Sequence, residues 1–298
     1  MANLKEVRTR INSVNSTMQI TSAMKMVSAS KLRKSQSAIV ALRPYASKLY
    51  EIMQNLSSSL QTSAEGVYTK THKENIEDEK ILLIPVASNK GLCGVFNANV
   101  IRDIISAIKT DYQVQYDKGN VDILCISKKV EETLRFRKYR ILGNENELLD
   151  KLSYDNAVEF AEKLMKDFVE EKYDRIIFIY NQFKNAGTQI LVREQFLPIA
   201  DTKLSEKKAS NISDIEYIFQ PSKEEILNSL IPKSLKLQVY KVLVDSLTSE
   251  HGARMVSMTK ATDNASELLK ELNLSYNKAR QSAITNEIIE IVGGANAL

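Results

Sequence analysis

No glycine and no proline occurs in residues 1–43, and the first glycine of the chain is Gly66. Past Pro232 there is no further proline, and Gly252 is the only glycine before the pair Gly293-Gly294. These two residue types are the strongest helix breakers, costing about 1 and about 3 kcal/mol per residue against alanine. Breaker-free stretches at both ends, around a middle that contains breakers, predict two long terminal helices and a mixed insert. Such a chain is built as a helical hairpin carrying a domain rather than around a pocket.

Both ends carry the spacing of helices that pack on helices. Leu4, Val7, Ile11, Val14 and Met18 step by three and four, the a/d pattern of a coiled coil. The stripe continues less strictly through Met26, Leu32, Ile39, Leu42, Leu49, Ile52, Leu56 and Leu60, with a kink or short break predicted at Pro44. About 55 helical residues span about 80 Å. Serines and threonines such as Ser28, Ser30, Ser35 and Ser37 are mediocre helix formers, so this helix depends on a packed partner. The C-terminal segment supplies it: Val239, Val242, Ser246, Ser249, Ala253 and Val256 repeat the spacing with small residues on the seam. Leu268, Leu269, Leu272, Tyr276, Ala279 and Ala283 follow, then Ile284, Ile288, Ile289, Ile291 and Val292, with Gly293-Gly294 as the expected stop.

Charge is uneven. Residues 1–48 hold nine basic side chains (Lys5, Arg8, Arg10, Lys25, Lys31, Arg33, Lys34, Arg43, Lys48) and one acid, Glu6. A helix of this kind offers a surface to something acidic, either nucleic acid or acidic protein loops. The first aromatic residue is Tyr45, so base stacking along a single strand is unsupported. The 298 residues exceed one typical domain of about 100–200. No run of about 18 apolar residues indicates a transmembrane helix. The polar start, without an apolar leader segment, gives the expectation of a cytosolic chain beginning at its own Met1.

The middle alternates between strand-like and helix-like runs. Strands are predicted at Ile81–Val86, Val121–Ile126, Tyr139–Leu142, Arg175–Tyr180 and Gln189–Phe196, with Tyr217–Phe219 closing the insert. Helices are predicted at Ala98–Tyr112, Lys128–Arg137 and Ala157–Lys172, and residues 201–214 as an exposed polar loop. The alternation argues for an α/β layer on a largely parallel sheet.

Motifs for catalysis are sparse. Ser88-Asn89-Lys90-Gly91-Leu92-Cys93-Gly94 follows the first strand, where a nucleotide-binding α/β domain places its phosphate loop. It fits neither GxGxxG nor GxxxxGK[ST], so it is expected to be a structural turn. Cys93 and Cys125 lack metal-ligand spacing and are expected to be buried small hydrophobes. With His72 and His251 as the only histidines, histidine-based metal or triad chemistry has little to rest on.

Several blocks nevertheless resemble one family. Lys5-Glu6-Val7-Arg8-Thr9-Arg10-Ile11 and Thr21-Ser22-Ala23-Met24-Lys25-Met26-Val27-Ser28-Ala29-Ser30-Lys31-Leu32-Arg33-Lys34 are similar to the N-terminal signature of gamma subunits of F-type ATP synthases. Gly91-Leu92-Cys93-Gly94 fits in the middle. Ser249-Glu250-His251-Gly252-Ala253-Arg254-Met255-Val256-Ser257-Met258, Ala261-Thr262-Asp263-Asn264-Ala265, Tyr276-Asn277-Lys278-Ala279-Arg280-Gln281 and Glu290-Ile291-Val292-Gly293-Gly294-Ala295 match at the other end.

The resemblance implies an antiparallel coiled coil of the N- and C-terminal helices with an inserted Rossmann-like α/β domain. The expected boundaries are 1–60, 77–220 and 222–298. It also implies a central rotor shaft that couples proton or sodium flow through a c ring to ATP synthesis or hydrolysis at beta subunits. The shaft would have no catalytic site and no cofactor of its own. Expected partners are alpha and beta subunits, epsilon and the c ring, with one copy per complex and no nucleic acid. The expected place is the cytoplasmic face of a bacterial inner membrane, as a peripheral protein. Met24, Lys25, Lys31, Arg254, Arg280, Gln281 and Thr285 match positions that contact beta subunits. Ile288, Ile291 and Val292 match the apolar bearing tip, and Tyr217, Phe219 and Gln220 the foot near the c ring and epsilon. Many members carry an acid where this chain has Gln220, so no ionic contact carries over there. The competing readings are a basic coiled-coil nucleic-acid-binding protein and a nucleotide-dependent α/β enzyme.

Overall fold

The computed structural model describes residues 4–58, 68, 76–199 and 223–295. They form an α/β domain and an antiparallel helical pair, the fold class that the breaker pattern and periodicity predict. The chain divides into two compact units, residues 31–253 and residues 1–30 with 254–298. The first helix, α1, runs Leu4–Ser58 and the last, α7, runs Lys223–Ala295.

The larger unit is organised on a five-stranded sheet. In chain order its elements are β1 (Ile81–Val86), α2 (Phe96–Thr110), α3 (Gln113–Asp117), β2 (Val121–Cys125), α4 (Lys128–Phe136), β3 (Gly143–Asn144), α5 (Glu147–Asp150), α6 (Tyr154–Val169), β4 (Arg175–Asn185) and β5 (Thr188–Leu197). The strand order is β3-β2-β1-β4-β5. All neighbours are parallel except β4 and β5, which form an antiparallel hairpin.

Both faces of the sheet are covered, which explains why β1 is apolar at every position. Alternation along the strands divides the core. Leu82, Ile84, Phe178 and Tyr180 pack with Phe160, Leu164 and Phe168 of α6 and with Leu235, Val239 and Val242 of α7. Leu83, Ile123, Ile177 and Ile179 pack with Val100 and Ile104 of α2 and with Val130 and Leu134 of α4. Each fully buried side chain of this size contributes about 1.5–3 kcal/mol. Serines start two of the helices: Ser127 Oγ accepts from the Val130 N–H at 3.3 Å, and Ser153 Oγ from the Asn156 N–H at 3.2 Å. At the sheet's N-terminal edge, Glu79 is buried and paired with Arg175 at 3.0 Å.

The structure differs from the sequence-based expectations at four places. The third strand is Gly143–Asn144, not Tyr139–Leu142. Tyr139 and Ile141 sit against the core as loop residues, so their apolar character reports packing rather than pairing. β4 does not stop at Tyr180 but runs to Asn185, because the hairpin with β5 pairs Asn181 and Gln182 as well. Helix α1 passes Pro44 without a break. Val40, whose carbonyl loses its donor there, is exposed and open to water. Gly293-Gly294 does not end α7, which continues to Ala295. The predicted strand Tyr217–Phe219 and the loop 201–214 lie outside the described residues.

Candidate functional site

The smaller unit is the helical pair. Thr21 Oγ1 and Thr262 Oγ1 lie 2.9 Å apart. Each hydroxyl also has a carbonyl of its own helix within reach, Met18 at 3.0 Å for Thr21 and Met258 at 2.8 Å for Thr262, so one hydroxyl donates across the pair while the other donates within its helix. This contact sets the register of two antiparallel helices of equal rise. Met18 then stands opposite Ala265, Val14 opposite Leu269, Ile11 opposite Leu272, Val7 opposite Tyr276 and Leu4 opposite Ala279. Each of these residues is buried or half-buried, as a heptad seam requires. Ser28 and Met258 are buried as well. Sequence spacing does not single out Thr21 and Thr262 as a register-setting pair. The available signal was a hydroxyl residue at a seam position on each helix.

Opposite Leu4, the first described residue of α1, the seam has reached Ala279. Beyond Ala283 every described residue of α7 is exposed. Residues 284–295 extend about 18 Å with no partner helix among the described residues. Their exposed side chains include Ile284, Ile288, Ile289, Ile291 and Val292, with Ile291 70% exposed.

The expected contact residues fall into separate zones. Gln281, Thr285, Ile288 and Val292 follow one another at four, three and four residues and share a face of the overhang. The Thr285 hydroxyl donates to the Gln281 carbonyl at 2.9 Å. Arg280 and Gln281 are exposed at its base. Met24 and Lys25 are half-buried near Met258, about 33 Å along the axis from Arg280. Arg254 is only 9% exposed, in contrast to the open Arg280. Lys31, at the start of the larger unit, is exposed. Tyr217, Phe219 and Gln220 lie outside the described residues.

The polar groups of the turn after β1 bond within the turn and to α2, and Ser88 and Asn89 also tie it to the start of α4 and to α5. The Ser88 N–H donates to Asn97 Oδ1 at 3.0 Å, the Lys90 N–H to Ser88 Oγ at 3.1 Å, and Asn97 Nδ2 to the Lys90 carbonyl at 3.3 Å. Leu92 and Gly94 have φ of 63° and 62°. These bonds hold a tight turn of the kind the sequence pattern implies. Cys93 and Cys125 are buried thiols. Burial, reinforced by the nearby Glu131 carboxylate, pushes the Cys125 thiol up to about 12, so it stays protonated at neutral pH. Tyr180 is also pushed well above the usual phenol range by burial and then by Glu194, whose Oε2 accepts its hydroxyl at 2.6 Å. Gln238 of α7 donates to Glu194 Oε1 at 2.9 Å, tying that helix to the sheet. Among the described residues no group of three or more His, Cys, Asp or Glu could hold a metal ion. None of their helices is long and apolar enough to cross a membrane.

What this arrangement offers is surface: a basic helix, a paired shaft and an apolar overhang. The sequence profile of the ATP synthase family matches residues 3–298. The chain is 53% identical over 298 residues to the ATP synthase gamma chain of Christiangramia forsetii, covering all of this chain and 99% of the relative. The chain belongs to the ATP synthase gamma-chain family. The gamma chain of Flavobacterium johnsoniae is 55% identical with the same coverage. The fold is shared with chains in solved mitochondrial ATP synthases of Euglena gracilis. One, from a rotor structure, has a TM-score of 0.62 at 18% identity and covers 94% of this chain and 98% of its own. Another, from an OSCP/F1/c-ring structure, has a TM-score of 0.65 at 20% identity and covers 99% and 94%. A gamma-chain fold thus accounts for the helical pair and the α/β insert together.

Proposed function

We propose that the chain is the central rotor shaft of an F-type ATP synthase. It couples ion flow through a membrane c ring to ATP synthesis or hydrolysis at beta subunits, and has no catalytic site of its own. The observation that carries this reading is the overhang of α7, a single exposed helix with an apolar face in a chain of the gamma family. An apolar rod suits a turning contact, because dispersion contacts do not depend on a fixed partner geometry, whereas hydrogen bonds do. The basic positions Lys25 and Lys31 and the exposed Arg280 suit acidic loops of the beta subunits, with Met24, Arg254, Gln281 and Thr285 in the same contact set. Tyr217, Phe219 and Gln220 belong to the foot toward epsilon and the c ring.

This reading places one copy per complex, together with alpha, beta and epsilon subunits, on the cytoplasmic face of a bacterial inner membrane. The test is purification from the native membrane with a tagged chain. Co-purification of alpha and beta subunits, with ATPase activity in the complex and none in the isolated chain, is the expected result. A chain that fails to assemble with them and leaves their ATPase unchanged overturns the rotor.

A further inference from the structure

We propose that the C-terminal end of α4 is a contact for an anionic lipid surface. Phe136 inserts among acyl chains, and Arg137 and Lys138 rest on headgroup phosphates. This goes beyond the rotor reading and stands or falls separately from it.

Three observations converge there. Phe136 is 87% exposed, although a phenylalanine has the most to gain from burial. It lies within Arg135-Phe136-Arg137-Lys138-Tyr139-Arg140. Arg135 is paired with Glu131 at 2.8 Å and Arg140 with Asp122 at 3.0 Å, while Arg137 and Lys138 have no ion pair among the described residues. Finally, Lys138 has a φ of 62°, a left-handed conformation in which glycine is the usual residue.

The geometry behind that φ is a complete helix stop. The Lys138 N–H donates to the Arg135 carbonyl and the Tyr139 N–H to the Leu134 carbonyl, both at 3.0 Å. Tyr139 then turns inward against Tyr116, with ring centroids 5.8 Å apart. The segment is fastened on the inside by Leu134 and Tyr139 and presents Phe136, Arg137 and Lys138 outward.

The chemistry favours a bilayer over a protein. A stable protein interface buries about 800 Å² per partner around an apolar centre. Here one aromatic ring stands beside two cations, Arg137 and Lys138. Even a single acyl chain attaches only marginally, so one inserted ring with two cations beside it gives at most a weak, reversible attachment to an anionic leaflet, to which each Lys or Arg contributes about a fivefold gain in affinity.

The chain contains no tryptophan, so Phe136→Trp makes a local reporter in the full-length protein. With vesicles of phosphatidylglycerol and phosphatidylcholine we expect its emission to shift to the blue and to be quenched by brominated acyl chains. Pure phosphatidylcholine should give neither effect. Arg137→Ala and Lys138→Ala in that background should each raise the half-saturating lipid concentration about fivefold. Lys138→Gly should raise the melting temperature yet weaken binding to a similar degree. An unshifted emission while the chain sediments with the anionic vesicles would show attachment through other basic surfaces and overturn the proposal. So would a blue shift with poly-glutamate and none with vesicles, which would assign the surface to an acidic polypeptide.

Discussion

The Thr262 hydroxyl is 2.9 Å from the Thr21 hydroxyl, and this one contact fixes which residues of the two terminal segments face each other. Thr262→Val keeps the side chain's shape and removes the hydroxyl. It should cost about 1 kcal/mol, measured by denaturant unfolding of the full chain. Backbone amides near Met18 and Ala265 should lose protection from hydrogen exchange. Unchanged protection would show that the apolar seam alone sets the register.

The overhang is expected to matter to assembly and not to the chain. Ile288→Asn with Ile291→Asn should change the stability of the isolated protein by less than about 0.5 kcal/mol, since both residues are exposed. Reconstitution with alpha and beta subunits should be where the loss appears. A large destabilisation of the isolated chain would place these residues in a buried contact instead.

Charge should outweigh length where Lys25 and Arg280 are proposed to meet beta subunits. Lys25→Glu combined with Arg280→Glu should lower ATP-driven ion pumping of the reconstituted complex more than deletion of residues 293–298. Equal losses would remove the argument for ionic contacts at these two zones.

Gly252 lies inside α7, where alanine would ordinarily stabilise by about 1 kcal/mol. Here a Cβ would stand 3.1 Å from the Ala186 carbonyl oxygen and 3.3 Å from its Cα, both in the β4–β5 turn. Gly252→Ala should therefore lower stability by about 1 kcal/mol, seen as a lower melting temperature. A rise would mean the turn yields at little cost.

Cys125 supplies a pH signature. Its folded value of about 12 lies above the reference of 9.0, with burial as the first cause. Between those limits the folded protein holds a proton that the unfolded chain has released. Its contribution is present in full below pH 9 and is lost as pH rises through 12, with a slope of up to about 1.4 kcal/mol per pH unit. Cys125→Ala should flatten the decline in stability from pH 9 to 11. An identical slope would assign the alkaline loss to other groups, Tyr173 and Tyr180 among them.

The sequence shows different parts of this molecule with unequal clarity. β1 is legible because a strand buried on both faces must be apolar throughout, and Ile81–Val86 is. β4 is only half legible: Asn181 looks like an end, yet its side chain is buried and donates to the Phe96 carbonyl at 3.2 Å. The strand after α4 is misplaced because Tyr139 and Ile141 are apolar for the sake of the core. In the helical pair, the three–four spacing announces the seam, but spacing is the same in every register. Only the meeting of Thr21 and Thr262 in space selects one. The exposure of Ile288 and Ile291 is likewise hidden, since an isoleucine on a seam and one beyond its end look alike in sequence.

The unpaired end of α7 has a thermodynamic consequence. A dozen residues is near the length at which an isolated helix in water is marginal, because nucleation is costly and each further residue returns little. Removed from any surrounding wall, this end would fray and regain its helix on entering one. Ordering the tip is then part of the free energy of putting the complex together. Substitutions that change its intrinsic helicity, even those that touch nothing, become mutations of assembly affinity.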